Sequence, residues 1–253
     1  MKIQHIRNAT LRIQYAGKQF LVDPFLGDQA SYPPFPNSAR QDRQNPLEEL
    51  PVPVQQLLEG IDAVIITHLH LDHYDEAAKQ LLPKQLPVFC QNEEDAQVLR
   101  SDGFTEVTIL AEDTNFEGIR LIKTQGQHGR GDILKMTGLV CGVVFQHEDE
   151  QTLYVAGDTV WYEGVQQAIE DHQPGIIILN AGDNQFNEGG SLVMGKEDVK
   201  KTHEAAPQAT LIAVHMEAVN HWVLSREELK NFAAEQGFSA KLHVPFDGEA
   251  FNF

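Results

Sequence analysis

The chain has 253 residues, of which 42% are hydrophobic and 22% charged, which excludes disorder and allows one large domain or two small ones. Its formal net charge of -18, with no stripe of Lys and Arg to offset it, excludes nucleic acid as a substrate. Because no apolar run could span a bilayer and no signal-peptide pattern begins the chain, we expect a cytoplasmic protein without a membrane partner.

Short strands are predicted in the first half of the chain, where apolar and β-branched residues occur in brief runs. They cover Leu11 to Ile13, Phe20 to Val22, Ala63 to Thr67, Val107 to Leu110, Ile119 to Thr124 and Leu139 to Gln146. Between Asp28 and Pro53, closely spaced prolines oppose regular structure. A loop of this length is often functional, so it is interpreted either as a lid over a site or as a coil that covers an apolar face.

Strands alternate with helices in the second half, which predicts layered α/β packing. The pairs are Thr152 to Ala156 with Gly164 to His172, Ile176 to Asn180 with Lys196 to Ala205, and Thr210 to Val214 with Ser225 to Gln236. Ser225 and Glu228 have the spacing of a capping box at the start of the last helix. We find no repeat and no linker, so a single domain over residues 1–253 is expected.

Residues with metal-binding chemistry are concentrated between Thr67 and Asp75, directly after a predicted strand. The core of this cluster consists of His68, His70, Asp72 and His73. Neutral imidazoles mixed with carboxylates suit zinc, manganese or iron. Side chains two residues apart on an extended segment point the same way, so one loop could supply ligands to two metals. Asp75 is instead suited to capping the helix that follows it.

Three further candidate ligands lie in a glycine-rich turn or follow predicted strands. His128 lies in the turn, while Asp158 and His215 each follow a buried strand, at the end where ligand sites collect in α/β sheets. His221, six residues after His215, is either a rival ligand or a separate polar group. Only the position at a strand end favours His215.

This order of motifs resembles the metallo-β-lactamase superfamily, whose hallmark HxHxDH is followed by a distant His, an Asp and a final His. The hallmark corresponds to residues 68–73, and Val22-Asp23-Pro24 resembles the early motif whose Asp supports the metal loop. The resemblance runs nearly end to end and implies a four-layer αββα sandwich. Within the superfamily, the Asp23-Pro24-Phe25 motif and the proline-rich insertion are most similar to the branch that contains L-ascorbate-6-phosphate lactonase.

The resemblance implies two divalent metal ions, with zinc as the first choice and manganese or iron as alternatives. It assigns His68, His70 and His128 to one metal, Asp72, His73 and His215 to the other, and Asp158 to a bridging position. Asp72 would also move a proton from the attacking water to the leaving group, and His221 would contact substrate. Asp23, Thr67 and Thr159 are the candidates for orienting the imidazoles.

The leading hypothesis is a metal-dependent hydrolase in which a hydroxide shared by two metals attacks a small lactone, ester or amide carbonyl. One alternative is a phosphodiesterase that acts on a small phosphodiester with the same site. A second is a non-hydrolytic metal-binding or redox module. Arg130 could bind an anionic substrate, although a solvated loop arginine is the simpler interpretation. Whether the chain forms a homo-oligomer is left open.

Overall fold

The computed structural model describes all 253 residues. The strands are β1 (Lys2–Arg7), β2 (Thr10–Tyr15), β3 (Lys18–Val22), β4 (Ala63–Ile65), β5 (Val88–Cys90), β6 (Val107–Ile109), β7 (Thr114–Phe116), β8 (Ile119–Gln125), β9 (Cys141–His147), β10 (Glu150–Val155), β11 (Ile176–Asn180), β12 (Thr210–Val214), β13 (Leu242–His243) and β14 (Ala250–Asn252). The helices are α1 (Val54–Leu58), α2 (Glu76–Leu81), α3 (Glu93–Ser101), α4 (Leu134–Thr137), α5 (Glu163–His172), α6 (Lys196–Ala205) and α7 (Arg226–Glu235).

The strands form two mixed sheets of seven strands each, and both sheets follow the same plan. The first has the order β14-β1-β2-β3-β4-β5-β6 and changes from antiparallel to parallel pairing at β3. The second has the order β13-β12-β11-β10-β9-β8-β7, antiparallel from β7 to β10 and parallel from β10 to β13. Each sheet therefore has a parallel half whose strands need crossover helices.

The two sheets pack face to face around a common apolar core. Phe20 of the first sheet and Phe145 of the second meet edge to face in this core, with ring centroids 5.2 Å apart. Helices α1 to α3 cover the outer face of the first sheet, and α5 to α7 cover the second. The predicted four-layer αββα sandwich is confirmed.

The parallel strands are buried on both faces, which explains their unbroken apolar sequences. All five residues of β11 are buried, because helices cover one face and the opposite sheet covers the other. The loops that follow β4, β10, β11 and β12 leave the sheets at the carboxyl ends of these strands. Ligand sites collect at that edge in α/β sheets, and the candidate ligands lie there.

Local signals for helix ends are accurate in this chain. The Ser225 side chain accepts a hydrogen bond from the Glu228 backbone, and the glutamate side chain completes the predicted capping box of α7. Asp75 caps α2 through the backbone N–H of Ala78 at 2.8 Å, as predicted.

The strand expected from Leu139 begins two residues later, since Leu139 is largely exposed and β9 starts at Cys141. None of the helices has the length and apolar character that a membrane crossing requires.

Candidate metal centre

The loop after β4 brings four candidate ligands into one buried turn. Backbone N–H groups of His73 and Tyr74 both donate to the His70 carbonyl, which closes the turn. His68, Asp72 and His73 are buried. His70 is partly open to a pocket, so solvent or a small molecule can reach the cluster from this side.

The seven candidate ligands form three overlapping groups, in each of which the ligand atoms lie within 4.8 Å of one another. The groups are His68 with His70 and His128, His68 with His73 and Asp158, and Asp72 with His73 and His215. The first and third groups coincide with the two metal positions that the resemblance implies. His221 belongs to none of the groups, so the geometry favours His215 as the last ligand.

Asp158 lies at the centre of the cluster, between the two outer groups. Its Oδ2 atom is 3.3 Å from His73 Nε2 and 3.5 Å from His128 Nε2, and its Oδ1 atom is 3.8 Å from His215 Nε2. Gly157 makes this placement possible, because it has a φ of +68° and a Cβ there would lie 2.4 Å from the Cys141 carbonyl oxygen. This central position fits a carboxylate that bridges two cations.

The histidine rings are oriented by partners that can only accept hydrogen bonds. His128 Nδ1 donates to the Leu192 carbonyl at 2.9 Å, and His73 Nδ1 donates to the Asp23 carboxylate at 2.9 Å. In the neutral form of either ring, Nε2 then keeps its lone pair for a metal. The Nε2 atoms of His68, His73 and His215 are buried without a hydrogen-bond partner. Orphaned nitrogens around carboxylates fit the divalent cations that this donor set binds.

Asp23 supports the metal loop from the end of β3, where the sequence placed it. Its carboxylate accepts hydrogen bonds from the Thr67 backbone at 2.8 Å and from the Thr67 hydroxyl at 2.9 Å, in addition to His73 Nδ1. Thr67 Oγ1 also lies 3.1 Å from His68 Nδ1. One aspartate thereby fixes the start of the loop and two of its imidazoles.

Thr159 differs from the prediction, because it does not contact an imidazole of the cluster. Its hydroxyl accepts a hydrogen bond from the Gln127 backbone at 2.9 Å and donates to the Val160 carbonyl at 2.9 Å. It thus holds the turn that carries the neighbouring His128. Thr159 therefore positions His128 only through the backbone of this turn.

Electrostatic interactions keep the carboxylates of the cluster ionised. Burial raises the pKa of Asp158, but the adjacent histidines His73, His215 and His128 outweigh burial and lower this pKa well below its ordinary value. Burial, together with neighbouring histidines, lowers the pKa of His68 well below the ordinary value, so this imidazole is neutral at neutral pH. Ionised carboxylate and neutral imidazole are the forms that bind cations.

Asn8 is a site residue that the sequence did not predict. It lies in the turn between β1 and β2, fully buried, and its amide donates to the Asp72 carbonyl at 3.0 Å and to Asp72 Oδ2 at 3.4 Å. Its own carbonyl accepts the backbone N–H of His215 at 2.8 Å. Asn8 therefore links two candidate ligands of the same metal position. A lone Asn in a hairpin turn has no sequence signal that distinguishes it from an ordinary turn residue.

Asn180, at the end of β11, is a second residue that the sequence did not single out. Its amide donates to Asp158 Oδ1 at 2.6 Å, and the side chain is buried. The hydrogen bond fixes the rotation of the central carboxylate. The only available signal was its position at the carboxyl end of a parallel strand.

Replacing Asn8 by glycine should weaken metal binding at the position formed by Asp72, His73 and His215. Asn8 has a φ of +57°, which glycine adopts without strain, so the variant removes the amide and keeps the backbone. Loss of such an outer partner typically costs about 10- to 100-fold in metal affinity or activity. Competition with a chelating dye measures this affinity.

The matched control is Ala16→Gly, which has a φ of +46° in the turn between β2 and β3, at the opposite end of β3 from Asp23. It should leave metal affinity unchanged. Equal metal affinity in the Asn8→Gly variant and the parent protein would show that Asn8 does not position Asp72.

An inner pocket of about 230 Å³ opens onto the cluster. Its walls are mainly apolar and no Lys or Arg lines it; the lining residues are Phe35, His70, Leu71, Asp72, His128, Met136, Thr137, Asp158, Phe186, Leu192 and His221. His221 lies between two aromatic rings, 4.7 Å from Phe35 and 6.1 Å from Phe186 by ring centroid. The pocket therefore fits a small and largely apolar molecule.

The proline-rich segment 28–53 covers this pocket and is fixed to the loop that carries His221. The Asn220 side chain accepts the Phe35 backbone N–H at 2.8 Å and the Asn45 amide at 3.0 Å. Arg40 stacks on Trp222 at 3.7 Å and donates to its carbonyl at 2.7 Å. Both interpretations of the segment therefore apply to part of it: Phe35 closes one side of the pocket, as expected of a lid, while Leu50 and Val52 cover the apolar core outside the first sheet.

Arg130, the candidate anion-binding residue, lies outside the pocket, as do three polar or aromatic residues of the neighbouring loops. Arg130 pairs with Asp198 at 2.7 Å, so the structure supports its simpler interpretation and provides no anion site. Trp161 and Tyr162 pack against the core beneath the second sheet. Asn184 is buried next to His221, with its amide 3.3 Å from His221 Nε2.

Comparisons with known proteins agree with this geometry. A family model described as a beta-lactamase superfamily domain matches residues 18–216. The chain belongs to this family. It is also 56% identical to the UPF0173 protein YddR of Bacillus subtilis over 254 residues, which cover all of both chains.

Two solved structures resemble the chain over its whole length. The isothiocyanate hydrolase from Delia radicum gut bacteria is 44% identical with a TM-score of 0.95, and the match covers 100% of this chain and 99% of the other. A possible metal-dependent hydrolase from Veillonella parvula is 37% identical with a TM-score of 0.97 at the same coverage. The chain is therefore an enzyme, a metal-dependent hydrolase of the metallo-β-lactamase fold. The finer resemblance to the L-ascorbate-6-phosphate lactonase branch is not confirmed.

Proposed function

We propose that the enzyme hydrolyses a small uncharged molecule at an electrophilic carbon, and that isothiocyanates, R–N=C=S, are its substrate class. The observation that carries this proposal is the apolar inner pocket, which has no Lys or Arg in its lining and opens onto the cluster of ligand atoms. The whole-length similarity to an isothiocyanate hydrolase supports the same class. No Lys or Arg lines this pocket to pair with a negatively charged group on the rest of the substrate.

In this proposal the cluster holds two divalent metal ions, zinc first. His68, His70 and His128 would hold one ion, Asp72, His73 and His215 would hold the other, and Asp158 lies where it would serve both. Cations held by this set supply Lewis acidity, which provides a hydroxide nucleophile at neutral pH and polarises an acceptor atom of the substrate.

Asp72 and His221 are the proposed catalytic residues. Asp72 lies in the pocket wall 3.1 Å from His215, and it accepts the proton of the attacking water. Burial lowers the pKa of His221 to about 4, so its ring is neutral. Asn184 donates to His221 Nε2 at 3.3 Å, which places the ring hydrogen on Nδ1, a buried nitrogen without a partner. This N–H can donate a hydrogen bond to the substrate.

The reaction balances with water as the only co-substrate. A C–O bond forms at the central carbon while the C=N π bond opens toward nitrogen, which takes the proton that Asp72 removed from water. The addition gives the thiocarbamic acid R–NH–C(=S)–OH. Its C–N bond then breaks while the O–H proton moves to nitrogen, which yields the amine R–NH₂ and carbonyl sulfide. The apolar walls formed by Phe35, Leu71 and Leu192 exclude other nucleophiles and hold R.

Lactones, esters and amides, the leading class from the sequence, are the second candidate. They present the same uncharged, electrophilic carbon to the same pocket, and the absence of Lys and Arg there favours them over small phosphodiesters. The net charge of -18 further disfavours an anionic phosphodiester.

A substrate panel tests the proposal. Purified enzyme loaded with zinc, manganese or iron is offered phenethyl isothiocyanate, a γ-lactone, p-nitrophenyl acetate, a simple anilide and bis-p-nitrophenyl phosphate. We expect the highest kcat/KM on the isothiocyanate. Its hydrolysis is measured as amine release above the non-enzymatic rate. Turnover of the carbonyl compounds alone would support the second candidate, and turnover of the phosphate alone would overturn both.

A further inference from the structure

A larger outer chamber of about 610 Å³ adjoins the inner pocket. The two cavities share Met136 and Phe186 in their linings, so these side chains stand where one cavity meets the other. The outer chamber is further lined by Pro36, Asn37, Asp132, Ile133, Asn187, Glu188 and Gly189. It is formed by segments 36–37, 132–136 and 186–189, none of which carries a candidate metal ligand.

The chamber has apolar walls and acidic charges, and no cation lines it. Pro36, Ile133, Met136 and Phe186 supply the apolar surface. Asp132 forms an ion pair with Lys135 at 2.7 Å, and both side chains are exposed, whereas Glu188 forms no ion pair. A carboxylate or phosphate would therefore be repelled here, while an apolar group would be removed from water.

The inner pocket is small for a substrate with a long organic group. Its volume of about 230 Å³ lies below the range of roughly 300 to 1,000 Å³ that is usual for sites of drug-sized ligands. A substrate that has its reacting carbon at the cluster and an organic group larger than this volume would extend its remaining atoms past Met136 and Phe186. Those atoms enter the outer chamber.

We propose that the outer chamber is a binding subsite for the uncharged organic tail of the substrate, and that it selects tails that are long, apolar and without negative charge. The identity of the reacting group in this proposal rests on the proposed function. It assigns to Met136 and Phe186 the role of contacting the tail where it passes between the cavities. Glu188 has the role of rejecting tails that end in an anion.

A homologous series of isothiocyanates tests the length dependence. Methyl, ethyl, benzyl, phenethyl and 4-phenylbutyl isothiocyanate share one reacting group and differ in the tail. We expect kcat/KM to rise along the series, by up to about fourfold for each methylene that leaves water. A 4-carboxybutyl tail should be at least tenfold poorer than its methyl ester, and Glu188→Gln should reduce this ratio.

Matched tryptophan variants test the location of the tail. Met136 and Leu139 are each 75% exposed and lie three residues apart, but only Met136 lines the chamber. Met136→Trp should lower the ratio of phenethyl to methyl turnover by roughly tenfold, since the indole fills the passage. Leu139→Trp should leave this ratio unchanged.

Calorimetric titration of N-alkyl thioureas with the same tails measures binding without any reaction. If these analogues bind more tightly with tail length in the parent enzyme and lose this trend in Met136→Trp, the subsite is supported even if isothiocyanates are not hydrolysed. Flat affinity along the series, or equal effects of Met136→Trp and Leu139→Trp, would overturn the subsite. Flat affinity combined with isothiocyanate turnover would leave the proposed function intact.

Discussion

The Asp158→Asn variant should lose on the order of 10³-fold in kcat/KM and a large part of its bound metal. Asp158 places one carboxylate oxygen near His68, His73 and His128 and the other near His215, so it contacts both metal positions. An amide has the same shape but lacks the charge that offsets two cations. Removal of an ionised partner from a buried site costs several kcal/mol, which corresponds to this factor.

Elemental analysis of the purified variant and steady-state kinetics measure the two effects. Asp198→Asn is the matched control, since Asp198 is also buried but pairs with Arg130 outside the cluster. It should keep its metal and most of its activity. Full metal content in Asp158→Asn, together with activity close to that of the parent, would remove Asp158 from the bridging position.

Alanine substitution at His215 should lower the metal content, whereas alanine substitution at His221 should not. His215 Nε2 is 3.1 Å from Asp72 Oδ2 and belongs to a ligand group, so His215→Ala should lose close to one metal equivalent per chain. His221 lines the pocket outside these groups. His221→Ala should keep its metal while kcat falls by about 10²- to 10³-fold, the usual cost of losing a hydrogen-bond donor that stabilises the transition state.

His221→Asn provides a further readout, because an asparagine can donate a hydrogen bond without titrating. It should recover part of the kcat that alanine loses, at unchanged metal content. If both alanine variants lose metal to the same extent, His221 is a ligand and its assignment as a substrate-contacting residue is wrong.

The layered fold could be predicted from the sequence because its central elements carry strong local signals. The buried run of β11, the helix Lys196–Ala205 and the capping box at Ser225 have the predicted bounds or nearly so. These are long or capped elements in which local preference and tertiary burial agree. The hallmark histidines cluster in sequence, so their proximity required no knowledge of the fold.

Elements and contacts that depend on distant partners were missed. Strand β1 pairs with β14 across the whole chain length, and the short β13 at the far edge pairs with β12, so neither has a strong local signal. The amide of Asn8 reaches Asp72 only after β1 and β2 have joined the first sheet. The outer chamber is formed by segments at least 50 residues apart, and its shape follows from packing. Tertiary context alone specifies such features.

Metal analysis of the purified, reconstituted enzyme tests the central claim most directly. Plasma mass spectrometry of protein dialysed against zinc, and separately against manganese and iron, counts the bound ions per chain. The proposed assignment of the seven clustered residues to two metal positions joined by Asp158 predicts a value that approaches two equivalents, with activity that rises as the second equivalent binds. A value near one that does not rise on reconstitution, with full hydrolytic activity, would contradict the two-metal centre.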